Sequence, residues 1–138
     1  MTTGKVLRVL FVEDNEGDVQ LLLRALRKGG YEVTAHRRVQ TAQALEEALS
    51  KGEWDLILSD YHMPLLSGLT AFLLMKLRDR DIPFVLVSGT LGPQLAAVAQ
   101  RVGVHQYLLK EHVDEKLIPA LERAMRDVAH RRQGERPE

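Results

Sequence analysis

The chain contains no cysteine. That excludes a disulfide framework and thiolate metal sites, and it accords with a reducing compartment. It has no net charge either, because 19 lysines and arginines balance 19 acids. A neutral chain has no overall field with which to gather nucleic acid, so nucleic acid is not expected as a partner. No apolar run is long enough to cross a bilayer. The opening MTTGKVLRVLFVED reaches two acids after a few apolar residues, which reads as a core strand and not as a signal peptide or membrane span. The expected location is the cytoplasm, with no membrane partner. Internal repeats, linkers and a second hydrophobic pattern are also lacking. What remains is 138 residues with 45% apolar and 28% charged composition, the profile of one globular domain that can bury its own core. The domain is expected over residues 1–132, with a polar, frayed tail over 133–138.

The apolar pattern alternates between two periods. Residues 6–12 (VLRVLFV) form a short β-branched run, a buried strand. Residues 16–28 carry Val19, Leu22, Leu23 and Leu26 at helical spacing, and Gly29-Gly30 stops that helix. Residues 31–38 alternate loosely, as a strand nearer a sheet edge does. Thr41 caps a helix whose inner face is Leu45, Ala48 and Leu49, and Lys51-Gly52 ends it. The run DLILS at 55–59 is a strand ending at Asp60. Helices at 67–77 and 93–102 alternate with strands at 84–87 and 105–109. A last helix runs to about residue 133, with Gly134 after it. Pro119 removes one helical bond, so a separate turn is expected over 114–117, with the long helix starting near Ile118. Five βα units in strict alternation, with continuously apolar strands, predict a doubly wound (βα)5 sandwich. Its five parallel strands would lie in the flavodoxin-like order 2-1-3-4-5.

Ligands of such sheets bind beyond the carboxyl ends of the strands. Strand one ends in Glu13-Asp14, strand three in Asp60, strand four in Ser88 and strand five in Lys110. Three carboxylates, a hydroxyl and an ammonium therefore converge on one rim. Clustered carboxylates repel one another and call for a cation. Hard oxygen donors without matching cysteine or histidine favour Mg²⁺ over zinc. A carboxylate beside Mg²⁺, a hydroxyl and a lysine suits a phosphoryl group, with Asp60 as nucleophile and Lys110 neutralising charge on the oxygens.

These motifs together resemble bacterial response-regulator receiver domains, over roughly residues 5–130. The matching pieces are VLFVEDNEGD at 9–18, DLILSDYHMPLLSG at 55–68, SGT at 88–90 and YLLK at 107–110. The resemblance implies that Asp60 is phosphorylated by a histidine kinase or phosphotransfer protein. It also implies that Asp14 ligates Mg²⁺ directly, Glu13 acts through a water, and the carbonyl of His62 is a further ligand. Ser88 and Lys110 would hold the phosphoryl oxygens, and Tyr107 would change rotamer on activation. His62 and Thr90, each two residues past a site residue, would flank the water that hydrolyses the acyl phosphate. The chain would then be a single-domain regulator in two-component signalling that acts on an unknown downstream protein. It would be no enzyme beyond its own phosphotransfer and autodephosphorylation. Two positions depart from the family pattern. Glu111 follows Lys110 where a proline in a cis peptide is usual, and Gly89 stands where alanine is usual.

Each residue also has a plainer reading. Glu13-Asp14 can be a solvated loop pair, Asp60 and Ser88-Gly89 strand-ending turns, Lys110 a surface lysine, and Tyr107 half-buried packing. All of these would have to coincide on one rim. The histidines His36, His62, His105, His112 and His130 share no ligand spacing and read as scattered polar residues. His130, Arg131 and Arg132 suit a helix C-terminus. Two other functions fit less well. A receiver-like module that is never phosphorylated has no need of the full acid, hydroxyl and lysine set. A Mg²⁺ phosphohydrolase would need a substrate pocket that the sequence does not suggest.

Overall fold

The structure, a computed structural model, describes residues 5–63, 65–78, 80–89 and 93–134. Five strands alternate with five helices: β1 (Lys5–Val12), α1 (Glu16–Lys28), β2 (Tyr31–Val39), α2 (Ala42–Lys51), β3 (Leu56–Asp60), α3 (Gly68–Leu77), β4 (Phe84–Ser88), α4 (Pro93–Val102), β5 (Gln106–Leu109) and α5 (Val113–Gly134). All the strand pairings are parallel, in the order β2-β1-β3-β4-β5. This is the doubly wound sandwich that the sequence predicts.

The two-residue period of each strand divides its side chains between the faces. Leu7, Val9 and Phe11 of β1, Leu56 and Leu58 of β3, and Val85 and Val87 of β4 join α1 and α5 in one core layer. Leu10, Val12, Ile57, Phe84 and Leu86 join α2, α3 and Ala99 of α4 in the other. Side chains of β1, β3 and β4 are thus buried on both sides, which is why those strands read as unbroken apolar runs. Edge strand β2 is exposed from Thr34 to Arg38, and its basic residues discourage pairing with another sheet.

Local signals account for the helix ends. Asn15, Thr41 and Ser67 accept bonds from Asp18, Ala44 and Thr70 N–H groups as N-caps. Gly30, with φ 95°, takes the left-handed turn after α1 that side-chain-bearing residues avoid.

Pro119 departs from expectation. No separate turn precedes a later helix. Instead a 3₁₀ turn over Lys110–His112 leads straight into α5, which contains Pro119. Pro119 lies on the exposed face, while Val113, Leu117, Ala120, Leu121 and Ala124 bury the opposite stripe on both sides of it. Glu115, whose carbonyl the proline deprives of a partner, is an exposed residue, so water can take that bond. The helix also runs through Gly134, into the span expected to be tail. Residues 135–138 lie outside the described residues.

His105 departs too. It is not a scattered polar residue, because its side chain is fully buried. The Phe84 N–H donates to His105 Nδ1 at 2.9 Å, and Nε2 lies 3.1 Å from Asp81 Oδ1. A ring that accepts at Nδ1 carries its single proton on Nε2, so the neutral tautomer ties the start of β4 to Asp81. Burial and Arg131 hold the ring's pKa below 6.5 despite Asp81. A neutral ring in the fold that must charge in the unfolded chain contributes stability above pH 6.5, and that contribution is lost as pH falls further. The melting temperature should therefore drop between pH 7.5 and 5.5. His105→Asn, which cannot titrate, should flatten that drop; an equal drop in both proteins would remove His105 as its source.

Candidate functional site

Strand register brings the site together. Val12 pairs with Ser59, so Glu13 follows β1 at the level of Asp60. Asp60 pairs with Val87, and Ser88 with Leu109. Ser88 and Lys110 therefore follow in a staircase along the same rim. The order reverses at β1, which has β2 on one side and β3 on the other. The crevice beyond β1 and β3 is the place where open α/β sheets bind ligands.

In that crevice the carboxylate oxygens of Glu13, Asp14 and Asp60 lie within 4.8 Å of one another. Asp14 is exposed, whereas Glu13 and Asp60 are 2% and 7% accessible. Burial, and after it the charge of Asp60, push the Glu13 carboxyl up to about 7 against the pull of Lys110. The Asn15 N–H steadies Glu13 Oε2 at 3.2 Å, and Arg38 donates to the Glu13 carbonyl at 3.3 Å. The Lys110 ammonium lies 3.4 Å from Asp60 Oδ2 and 3.6 Å from Glu13 Oε1. Burial lowers its pKa, but Asp18, Glu13 and Asp60 together raise it above the usual value.

The remaining predicted residues are placed as follows. Ser88 is fully buried at the end of β4. Tyr107 is half-buried against the core layer on the α4 side. His62 is exposed, with its ring edge-on to Tyr61 at 4.5 Å. Thr90 lies outside the described residues. Lys110–Glu111 is a trans peptide and enters the 3₁₀ turn directly. A β-carbon at Gly89 would meet no atom within 4 Å, so the usual alanine would also fit there.

Three residues that sequence reasoning passed over shape the site. Asp18, in the first turn of α1, takes the shortest ion pair of Lys110, at 2.6 Å. It lay within a quoted motif, and its place at the start of a helix that begins on this rim was the available signal. Arg38, at the end of β2, braces the loop carrying Glu13 and Asp14 through its bond to the Glu13 carbonyl, while its Nε makes a separate surface ion pair with Glu16 at 3.1 Å. Gly68 lets α3 start against β3. A β-carbon there would come within 2.6 Å of the Asp60 carbonyl oxygen, and the Gly68 N–H bonds the Tyr61 carbonyl at 3.1 Å.

An oxygen-only acid cluster with one partly buried lysine, at the switch point of a five-stranded parallel sheet, defines a class of doubly wound α/β domains with an acidic crevice at the strand ends. Comparison with known proteins narrows the class. A family model for the response regulator receiver domain matches residues 9–122. The chain is 32% identical over 104 residues to the two-component response regulator ARR10 of Arabidopsis thaliana, covering 75% of this chain and 18% of that protein. Against the sensory/regulatory protein RpfC of Xanthomonas campestris it is 27% identical over 119 residues, 83% of this chain and 16% of RpfC. Among solved structures, full-length FixJ from B. japonicum superposes with a TM-score of 0.75 at 25% identity, covering 91% of this chain and 60% of that one. A receiver domain from Pseudomonas fluorescens gives 0.74 at 24% identity, covering 93% and 99%. The chain thus spans half or less of the length of the curated relatives it matches. It belongs to the response regulator receiver domain family, and so to two-component signalling.

Proposed function

We propose that residues 1–132 act as a cytoplasmic phospho-accepting switch, with Asp60 as the phosphorylated residue. The observation that supports this most is the meeting of Lys110 with Asp60 and Glu13 inside the three-carboxylate cluster. In this reading one Asp60 oxygen attacks the phosphorus of a phosphohistidine on a histidine kinase or phosphotransfer protein. The N–P bond breaks, its electron pair stays on the imidazole nitrogen, and Asp60 becomes an acyl phosphate. Lys110 and the Ser88 hydroxyl take the phosphoryl oxygens. No external metabolite is turned over; the output is contact with a downstream protein.

The donor set fits a small hard cation. Every donor is oxygen, and exposed Asp14 leaves a side open for the waters that Mg²⁺ retains. Asp14 and Asp60 would hold it directly, Glu13 through a water, and the His62 carbonyl would add a ligand. Bound there, Mg²⁺ supplies positive charge against the developing phosphoryl charge. With Mg²⁺ and acetyl phosphate, the intact mass should rise by one phosphoryl group in the wild type and not in Asp60→Asn. Mg²⁺ should raise the melting temperature by mass action, and Asp14→Ala should lose both that rise and phosphorylation. Normal phosphorylation of Asp14→Ala would move the metal site elsewhere.

The surface that responds is proposed to be α4, β5 and α5. In α4, Ala99 is the one fully buried residue, with Leu95 and Val102 partly buried, so little packing holds the helix in a single arrangement. Ser88 drawn toward a phosphoryl oxygen would vacate space for Tyr107. Hydrogen exchange over residues 93–110 should change when beryllofluoride, a phosphoryl mimic, is added with Mg²⁺; an unchanged profile there would end this assignment.

His62 and Thr90 are proposed to time the signal by flanking the hydrolytic water. The His62 ring is exposed, so it can meet an approaching water by its bulk or by a hydrogen bond. The decay profile of the phosphorylated protein should differ between the wild type and His62→Ala. Matching profiles would leave His62 without that role.

A further inference from the structure

Lys110 faces three carboxylates, and the nearest is not the one it is proposed to serve. Its ammonium is 2.6 Å from Asp18 Oδ2, against 3.4 Å from Asp60 Oδ2 and 3.6 Å from Glu13 Oε1. The first distance is that of a strong charge-assisted hydrogen bond, whereas the other two lie beyond that range. Asp18 also stands outside the group of acids whose oxygens share a cation-sized space. Its backbone is held in place, because the Asp18 N–H donates to Asn15 Oδ1 at 3.0 Å, the N-cap bond of α1. The aspartate is therefore presented from a capped helical turn to a lysine 92 residues away at the junction of β5 and α5. Both side chains are partly shielded, at 30% and 24% exposure, so solvent screens the pair less than it would on an open surface.

We infer that Asp18 is a positioning residue that competes with Asp60 for Lys110 and holds it the closer, so that a phosphoryl group must win the lysine away before the site can close on it. The inference rests on the proposed phospho-acceptor reading and names a restraint within the same site. Asp18 acts through Lys110 and touches neither phosphoryl group nor cation. In the resting protein the ammonium is engaged by Asp18. When phosphoryl oxygens arrive on Asp60 the lysine exchanges one anion for another, and the broken pair is subtracted from the strength with which the phosphoryl group is held. The strength of the Asp18 pair thereby sets how readily the site fills and how soon it empties.

A simpler account is that an acid in the first turn of a helix favours the helix dipole, and that its charge repels any incoming anion. Glu16 separates the two accounts. It is an acid of the same turn, but its partners are Arg38 and Gln20, not Lys110. The test is the affinity for beryllofluoride at saturating Mg²⁺, measured by calorimetry in four full-length proteins: wild type, Asp18→Asn, Asp18→Glu and Glu16→Gln. Asp18→Asn should bind about fivefold more tightly, the scale of one partly shielded ion pair. Asp18→Glu, which restores a carboxylate to Lys110, should return toward the wild type. Glu16→Gln should leave the affinity unchanged. Equal tightening in Asp18→Asn and Glu16→Gln would replace the restraint with a general field effect and overturn the proposal. No tightening in Asp18→Asn, with the wild type binding normally, would overturn it and leave the phospho-acceptor reading standing. If no protein of the four binds beryllofluoride and the wild type also takes no phosphoryl group from acetyl phosphate, the phospho-acceptor reading fails and the proposal fails with it.

Discussion

Like charges forced together at the end of a parallel sheet are the constraint on which the rest of this molecule turns. Parallel register leaves β1 and β3 no freedom over where their carboxyl ends fall. Val12 beside Ser59 puts Glu13 and Asp60 side by side, and both are buried. Two adjacent buried carboxylates are unfavourable in a medium that screens charge poorly. The fold relieves this in three ways: Glu13 holds its proton up to about pH 7, Lys110 is drawn in from the far side of the sheet, and backbone and Arg38 donors hold the loop. None of these removes the strain completely, so the site retains an appetite for positive charge.

The architecture was legible because its causes are local and periodic. Strands buried on both faces appear as unbroken apolar runs, and caps such as Asn15, Thr41 and Ser67 act within three residues of themselves. The staircase of Glu13, Asp60, Ser88 and Lys110 was legible for a similar reason, since a strand end can be located from its own sequence and the sheet then supplies the rest. Three features were not legible because they depend on partners distant in sequence. His105 looks like any polar residue until the Phe84 N–H and Asp81 are placed around it. Asp18 looks like an ordinary first-turn acid until Lys110 arrives. Pro119 breaks a helix in isolation, and only the buried stripe on the opposite face shows why this one continues.

The two departures from the usual receiver pattern carry different weights. Open space around Gly89 means that the glycine answers no steric demand; it leaves the backbone after Ser88 freer than alanine would. At Lys110-Glu111 the chain turns at once into a 3₁₀ turn, and the ammonium still reaches the acids. The geometry of the lysine is thus maintained by its ion pairs and by α5 packing, without help from a proline ring.

β4 is anchored at its entrance, where the imidazole of His105, the residue just before β5, accepts the Phe84 N–H. A strand fastened at that end and hydrogen-bonded on both flanks behaves as a fixed post. In the proposed switch, a pull on the Ser88 hydroxyl at the other end would not be absorbed by sliding the post along its neighbours. Under the proposed function the displacement would pass instead to a loosely seated neighbour, and α4, held by Ala99 with Leu95 and Val102 only partly buried, would be the yielding joint. The buried imidazole of His105, at the opposite end of β4 from Ser88, would in this sense be the mechanical ground of the proposed switch.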